Sequence, residues 1–295
     1  MGKRKIWYAL SLSVLVIAVA GLSFKQIVYG IDFRGGTELV LRFTTPPAIN
    51  ELRSAIDRAD FKGSEIKSYG EPTDIIIFTA EQEENVKVGD AIREEITKAF
   101  PDNNYSVLRE DKIGPKIGAE LRRNAIYAVF VTMLIIMIYI GFRFHFVYGV
   151  MGVVAIFHDV LATFGIIVLL NGFSPHLNLE INQTIMAAFL TLIGFSINDT
   201  VIVFDRIREN LKLFKTETLF TIINKSINET LSRTVITSGT IIIVLIVLII
   251  FGGEVNRGFA FTFLLGTILG TYSSIYIASA LVLDFSEYKK KKAKK

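Results

Sequence analysis

Ile193-Gly194-Phe195-Ser196-Ile197-Asn198-Asp199-Thr200-Val201-Ile202-Val203-Phe204 sets a carboxylate inside a run apolar enough to cross a membrane. Even on the lenient insertion scale, an acidic side chain at the centre of a membrane helix costs about 2.5–3.5 kcal/mol. Such a residue usually faces other helices or water, and it usually marks an ion or proton path. A second charge, Arg233, stands at the foot of the next apolar run. Together they point to a transporter or energy-coupling protein rather than a passive membrane anchor.

The composition around this stretch agrees. Of 295 residues, 51% are hydrophobic. The excess gathers into six blocks of about membrane-spanning length, roughly 6–28, 124–142, 147–170, 184–204, 234–252 and 258–283. The polar stretch 30–122 is long enough for one small folded domain. The net charge of +4 calls for no nucleic acid, because the basic residues cluster beside the apolar blocks. Cysteine is absent, which excludes disulfides, thiolate nucleophiles and cysteine metal sites. His145, His158 and His176 show no ligand spacing. No metal, cofactor or covalent catalysis is therefore expected, and the chain does not read as an enzyme.

Ala18-Val19-Ala20 imitates a signal-peptidase site, but the apolar run continues to Phe24 and five more blocks follow. The first helix is expected to stay uncleaved. Basic residues near helix ends set the orientation. With the N-terminus in the cytoplasm, Lys3, Arg4, Lys5, Arg143, the connection carrying Arg206, Arg208, Lys212, Lys215, Lys225 and Arg233, and the lysine tail all fall inside. The short opposite connections, 171–183 and 253–257, hold only Arg257. Arg122 and Arg123 also fall outside, but they follow a whole domain, and long segments translocate largely regardless of charge. The expected layout is residues 1–29 as cytoplasmic N-terminus and first transmembrane helix, and 30–122 as an extracytoplasmic domain. Helices two to six follow over 123–284 with a cytoplasmic loop at 205–233, and 285–295 form a basic cytoplasmic tail.

Inside 30–122 the periodicity changes. Glu38–Phe43 reads as a strand, Pro47–Ala59 as a helix, Glu65–Tyr69 and Asp74–Phe78 as strands joined by a turn at Gly70-Glu71-Pro72-Thr73, Val86–Phe100 as a helix, and Tyr105–Leu108 as a strand. The order βαββαβ is that of a ferredoxin-like split βαβ sandwich. It carries no nucleophile–base pair and no phosphate loop, so binding or mechanical coupling is the expected role.

Four strings combine along the chain: Gly30-Ile31-Asp32-Phe33-Arg34-Gly35-Gly36-Thr37; Ile113-Gly114-Pro115-Lys116-Ile117-Gly118; the run from Gly194 to Thr200 leading into Phe204-Asp205-Arg206-Ile207-Arg208-Glu209-Asn210; and the run from Asn224 to Thr240. In this order and topology they resemble the SecD/SecF family of protein-export membrane proteins, of the resistance-nodulation-division superfamily, over essentially the whole chain. The resemblance implies an α-helical polytopic membrane protein of six transmembrane helices, the half that pairs with a homologous SecD half. It also implies that the pair assists the SecYEG channel, with YajC as a possible further partner, and uses the proton-motive force to pull preproteins outward. It assigns proton conduction to the charges of the fourth and fifth spans, which here are Asp199 and Arg233. Ile113 stands where valine is often found, and no paired half is present in this chain.

Other readings stand beside these. Asp199 is alternatively a structural residue satisfied by Ser196, Asn198 or Thr200. Arg233, Thr237 and Thr240 fall at i, i+4 and i+7 on one helical face, which suits a coupling role beside Asp199, or Arg233 merely snorkels to the interface. His158 and Asp159, within the third span, form a relay or a packing contact. Asp205, Arg206 and Arg208 read as an interfacial charge cluster. Gly266, Gly270, Ser274 and Ala278 recur every fourth residue, a stripe that admits a close helix, internal or in a partner. The tail lysines anchor topology and meet anionic membrane lipid. Two further functions compete with ion-driven export: a non-transporting scaffold for the export channel, and another exporter of the same superfamily.

Overall fold

The computed structural model of the chain describes residues 1–80, 88–144, 146–174 and 177–293, without the side chains of residues 254, 255, 290 and 293. In chain order its elements are α1 (Arg4–Phe24), α2 (Ile31–Arg34), β1 (Gly36–Phe43), α3 (Ile49–Arg58), β2 (Glu65–Tyr69), β3 (Glu71–Thr79), α4 (Val88–Ala99), β4 (Tyr105–Ile113), α5 (Pro115–Arg143), α6 (Phe146–Leu170), α7 (Gln183–Leu213), α8 (Leu219–Phe251), α9 (Gly253–Ser273), a π-helical turn (Ser274–Ala278) and α10 (Ser279–Ala293). They form two compact units. One comprises Met1–Gln26, Tyr127–Leu170 and Thr184–Lys295, and the other Ile27–Ile126 with Asn171–Gln183.

In the first unit, six helical stretches among the described residues are long and apolar enough to cross a membrane: α1, α5, α6, α7, α8 and the run Asn256–Lys289. They coincide with the six apolar blocks. The connection read as a loop over 205–233 is helical except for a short turn after Leu213. Thr218 caps α8 by accepting from the Thr221 amide at 3.2 Å. Ile207, Ile222, Ile223 and Ile227 are buried there, so the two helices continue as a packed hairpin. α1 lies along α6 through small residues: a Cβ added to Gly165 would overlap the backbone of Ala18. The stripe Gly266, Gly270, Ser274 faces α7, meeting Leu192, Ser196 and Thr200. In this chain that stripe is an internal seam.

The second unit is the βαββαβ sandwich, with antiparallel sheet order β2-β3-β1-β4. Leu39 pairs with Ile77 and Leu41 with Ile75, placing one face of alternate residues against α3 and α4. Leu52, Ile56, Ile92 and Ile96 close that core from the helices. The first residues of the helix read over Val86–Phe100 lie outside the described residues; the rest is α4. Two boundaries differ from expectation. The turn read over Gly70–Thr73 contracts onto Gly70, at φ 77°, and β3 starts at Glu71. Pro72 is absorbed where the β2–β3 register shifts, a position that tolerates a missing amide donor. β4 runs on to Ile113, because its charges find partners: Arg109 pairs with Glu38 and Asp111, and Glu110 with Arg93.

The segment Asn171–Gln183 belongs to this unit, which its sequence did not announce. Gly30 donates its amide to Ile181 O (3.1 Å), Ile181 to Val28 O (2.9 Å), and the Gln183 amide to Asp32 Oδ2 (2.9 Å). Lys67 and Glu180 form an ion pair at 2.8 Å. Arg34 hydrogen-bonds Glu65 at 2.7 Å and stacks over Phe78, and that bond holds the Glu65 carboxyl below its ordinary range. Gly35 and Gly36 have φ of 73° and 134°, which glycine adopts without penalty. Side chains there would also strike Pro115 and the Thr79 carbonyl.

The α1–α6 seam makes a simple prediction. Gly165→Ala is expected to cost about 1–3 kcal/mol through overpacking, read as a lower melting temperature of the detergent-solubilised chain. Gly194→Ala, on an exposed face of α7 with nothing within 4 Å, should melt at the native temperature or slightly above. Equal behaviour of the two variants would contradict the close approach.

Candidate functional site

α7 passes through the centre of the membrane unit with its polar residues turned inward. Ser196, Asp199 and Thr200 are buried, at 1%, 0% and 0% exposure, while Asn198 lies on the exposed side of the helix. Helical spacing explains the division: Ser196, Asp199 and Thr200 are related by i, i+3 and i+4 and share one face.

Asp199 is held by neutral groups. Ser238 Oγ, on α8, donates to Oδ2 at 3.3 Å. Thr271 Oγ1, on α9, lies 2.7 Å from Ser238 Oγ, so a hydroxyl relay joins α7, α8 and α9. Asp199 Oδ1 has no hydrogen-bond partner among the described residues, nor has the buried Thr234 Oγ1 one turn before Ser238. No cation lies within ion-pair distance of this carboxylate among the described residues. Its charged and neutral forms therefore differ sharply in cost at this position, as a group that binds and releases a cation requires.

Arg233 occupies different ground. Its side chain is exposed. It lines a cavity of about 420 Å³ with Tyr139, Arg143, Asp205, Arg206 and Glu209. Thr237 and Thr240 bond back to their own helix, donating to Arg233 O (2.9 Å) and Thr237 O (2.8 Å). The polar face of α8 that enters the core is instead Ser226, Thr230, Thr234 and Ser238, all buried and four residues apart. That spacing was present in the sequence, on a different face from the arginine.

The predicted charge cluster forms with other members. Arg206 pairs with Glu209 and Glu229, each at 2.6 Å, and Asn210 Nδ2 donates to Glu229 at 2.7 Å. Arg208 donates to Arg143 O (3.1 Å) and lies over the Phe144 ring, and Asp205 has no ion pair among the described residues. A second buried constellation surrounds the third span. His158 Nδ1 lies 2.9 Å from Asp159 Oδ1, Ser196 Oγ donates to Asp159 Oδ2 at 2.8 Å, and Ser11 Oγ of α1 lies 2.5 Å from His158 Nε2.

Comparison with known proteins agrees with this architecture. A family model described as protein export membrane protein SecD/SecF, C-terminal, matches residues 92–288, and one described as the SecD/SecF GG motif matches 20–47, which contain Gly35 and Gly36. Protein translocase subunit SecF of Rhodothermus marinus is 43% identical over 281 residues, covering 95% of this chain and 91% of that protein. The subunit of the same name from Escherichia coli O157:H7 is 35% identical, covering 94% and 84%. The crystal structure of SecDF, a translocon-associated membrane protein from Thermus thermophilus, superposes with a TM-score of 0.83 at 36% identity, covering 97% of this chain. A structure of SecDF in super-membrane-facing form gives 0.71 at 35% identity. This chain spans only 38% and 39% of those two solved chains.

Proposed function

The chain belongs to the SecD/SecF family of protein-export membrane proteins, and from that premise we propose that Asp199 is the carboxylate through which it couples ion movement to export. It is a membrane subunit of the protein-export machinery. In this reading it works with a SecD-type half, using the proton-motive force to promote preprotein translocation through SecYEG. YajC joins the assembly in the same reading. The membrane is the inner, cytoplasmic one. Both termini and the helical hairpin around 205–233 face the cytoplasm, and residues 30–122 lie outside, where they receive the emerging polypeptide. The basic residues beside the spans support that orientation.

The observation that carries the proposal is the enclosure of Asp199. Among the described residues its one hydrogen-bond partner is a neutral serine at 3.3 Å, and a scaffold gains nothing from so costly a group. Bringing a proton to Asp199 removes its charge, and releasing the proton restores it. Each change alters what α7 can form with α8 and α9 through Ser238 and Thr271. Arg233, in the cavity beside Asp205 and Glu209, supports the step from outside that core by setting the field at the carboxylate and by keeping an aqueous approach polar.

Asp199→Asn keeps the shape and removes the titration. It is expected to insert and to bind its partner normally, and to leave ATP-driven early translocation intact. Proton-gradient-driven completion of export in inverted membrane vesicles should fall to the level seen without the subunit. Full gradient-driven export by this variant would overturn the assignment.

Arg233→Lys keeps the charge and loses the planar fork, so it should retain part of the activity. Arg233→Met should fall several-fold further in the same assay. Equal rates for the native chain and both variants would leave the arginine with only an anchoring role.

A further inference from the structure

We infer that the buried His158–Asp159 pair is a second protonatable site of the membrane unit, bridging α1 to α7 through Ser11 and Ser196. Four groups on three helices build it. Asp159 is 0% and His158 7% exposed. Both carboxylate oxygens are engaged, Oδ1 by His158 Nδ1 at 2.9 Å and Oδ2 by the Ser196 hydroxyl at 2.8 Å. His158 Nε2 meets the Ser11 hydroxyl at 2.5 Å, and Ser11 is itself buried on the face of α1 that packs on α6. No cation other than His158 lies within ion-pair distance of Asp159 among the described residues.

The arrangement is satisfied in two charge states. With the imidazole neutral, Nδ1–H donates to Asp159 and Nε2 accepts from the Ser11 hydroxyl. With the imidazole cationic, Nδ1–H still donates to Asp159, and Nε2–H donates to the Ser11 oxygen after the hydroxyl rotates. One proton enters or leaves at Nε2, and both ring nitrogens keep a partner in either state. A serine is suited to that duty because its hydroxyl is both donor and acceptor. Histidine changes charge between about pH 5 and 8 unless its surroundings forbid it. Among the described residues, the other ionisable groups facing the pair are Tyr272 of α9, whose hydroxyl donates to Trp7 O at 2.7 Å, and Asp199, one turn along α7 from Ser196. Tyr8 of α1 is turned to Asp284 instead.

The position gives the site something to act on. Ser196 ties Asp159 to α7, and Thr200, one turn further, bonds Ser274 Oγ at 2.9 Å, where the last span makes its π-helical turn. Insertions of this kind inside helices recur at functional sites. A proton gained or lost at His158 changes the net charge of the pair beside Ser196, on the helix that carries Asp199. The contribution of the pair to the coupling cycle rests on the Asp199 reading; its protonation does not.

The test uses the full chain with His145→Gln and His176→Gln, so that His158 is its sole histidine. It is labelled with ¹⁵N-histidine and reconstituted with its unlabelled partner subunit in lipid vesicles. Solid-state NMR across pH 5–9 should show the imidazole passing from cationic to neutral. With Asp159→Asn the partner carboxylate is gone, and the Nδ1 resonance should move. An imidazole fixed in one state from pH 5 to 9 would overturn the inference. In gradient-driven export, His158→Gln should assemble normally and flatten the pH profile; an unchanged profile would remove the site from the cycle. If that variant fails to assemble, the spectrum of the His158 chain still decides the protonation. If His158 titrates while Asp199→Asn exports normally, the Asp199 assignment falls and the second site stands.

Discussion

A carboxylate on a helix that crosses hydrocarbon has to be enclosed, and the enclosure of Asp199 orders the rest of the membrane unit. α7 cannot lie at the rim with that residue facing lipid, so α6, α8 and α9 gather around its polar face. Close gathering needs small residues, and Gly266 and Gly270 provide the approach on α9. It also needs hydroxyls, since a greasy wall would leave the carboxylate without any donor. Ser238 on α8 brings one, backed by Thr271 on α9. The cost is only partly offset, because one oxygen of Asp199 has no partner among the described residues. In the proposed role, that residual imbalance lets a proton change the balance of helix contacts.

The second unit obeys a different constraint. Its apolar strand residues alternate, so one sheet face must be covered by α3 and α4, while Glu38, Val40, Ile76 and Phe78 on the other face are buried too. The tethers and the segment Asn171–Gln183 belong to the same unit and supply partners there, among them Arg34 over Phe78 and Glu180 with Lys67. The two glycines at Gly35 and Gly36 let the first tether turn against Pro115 and pair in β1 within a few residues. A small sandwich is thereby fixed to both chain segments that enter it from the membrane spans.

Much of this was legible in the residues. Six apolar blocks are long-range composition, and composition survives any detail of packing. The βαββαβ order followed from periods of 2 and 3.6 in short windows. What could not be read was pairing across sequence distance. The run Arg109–Ile113 looks like a charged connection until Glu38 and Arg93 stand beside it. Asn171–Gln183 has no periodicity, and its partners, Val28, Gly30, Asp32 and Lys67, are distant in sequence. In the membrane unit the sequence pointed to Asp199, which the structure buries, and to Arg233, which it leaves exposed in a charged cavity. The difference is geometric: Thr237 and Thr240 share the arginine's face, and that face is not the one that carries Ser226, Thr230, Thr234 and Ser238 into the core. His158 and Asp159 stood out as ionisable residues in an apolar block, but their partners, Ser11 and Ser196, come from two other helices.

The central claim is that Asp199 carries the coupled ion. Its most direct measurement is proton entry into sealed vesicles containing the purified chain and its partner half, driven by an imposed pH difference and followed with an entrapped fluorescent pH reporter. The account predicts a gradient-driven flux in the native complex that Asp199→Asn reduces to the level of vesicles without protein. A flux unchanged by that single substitution would contradict it.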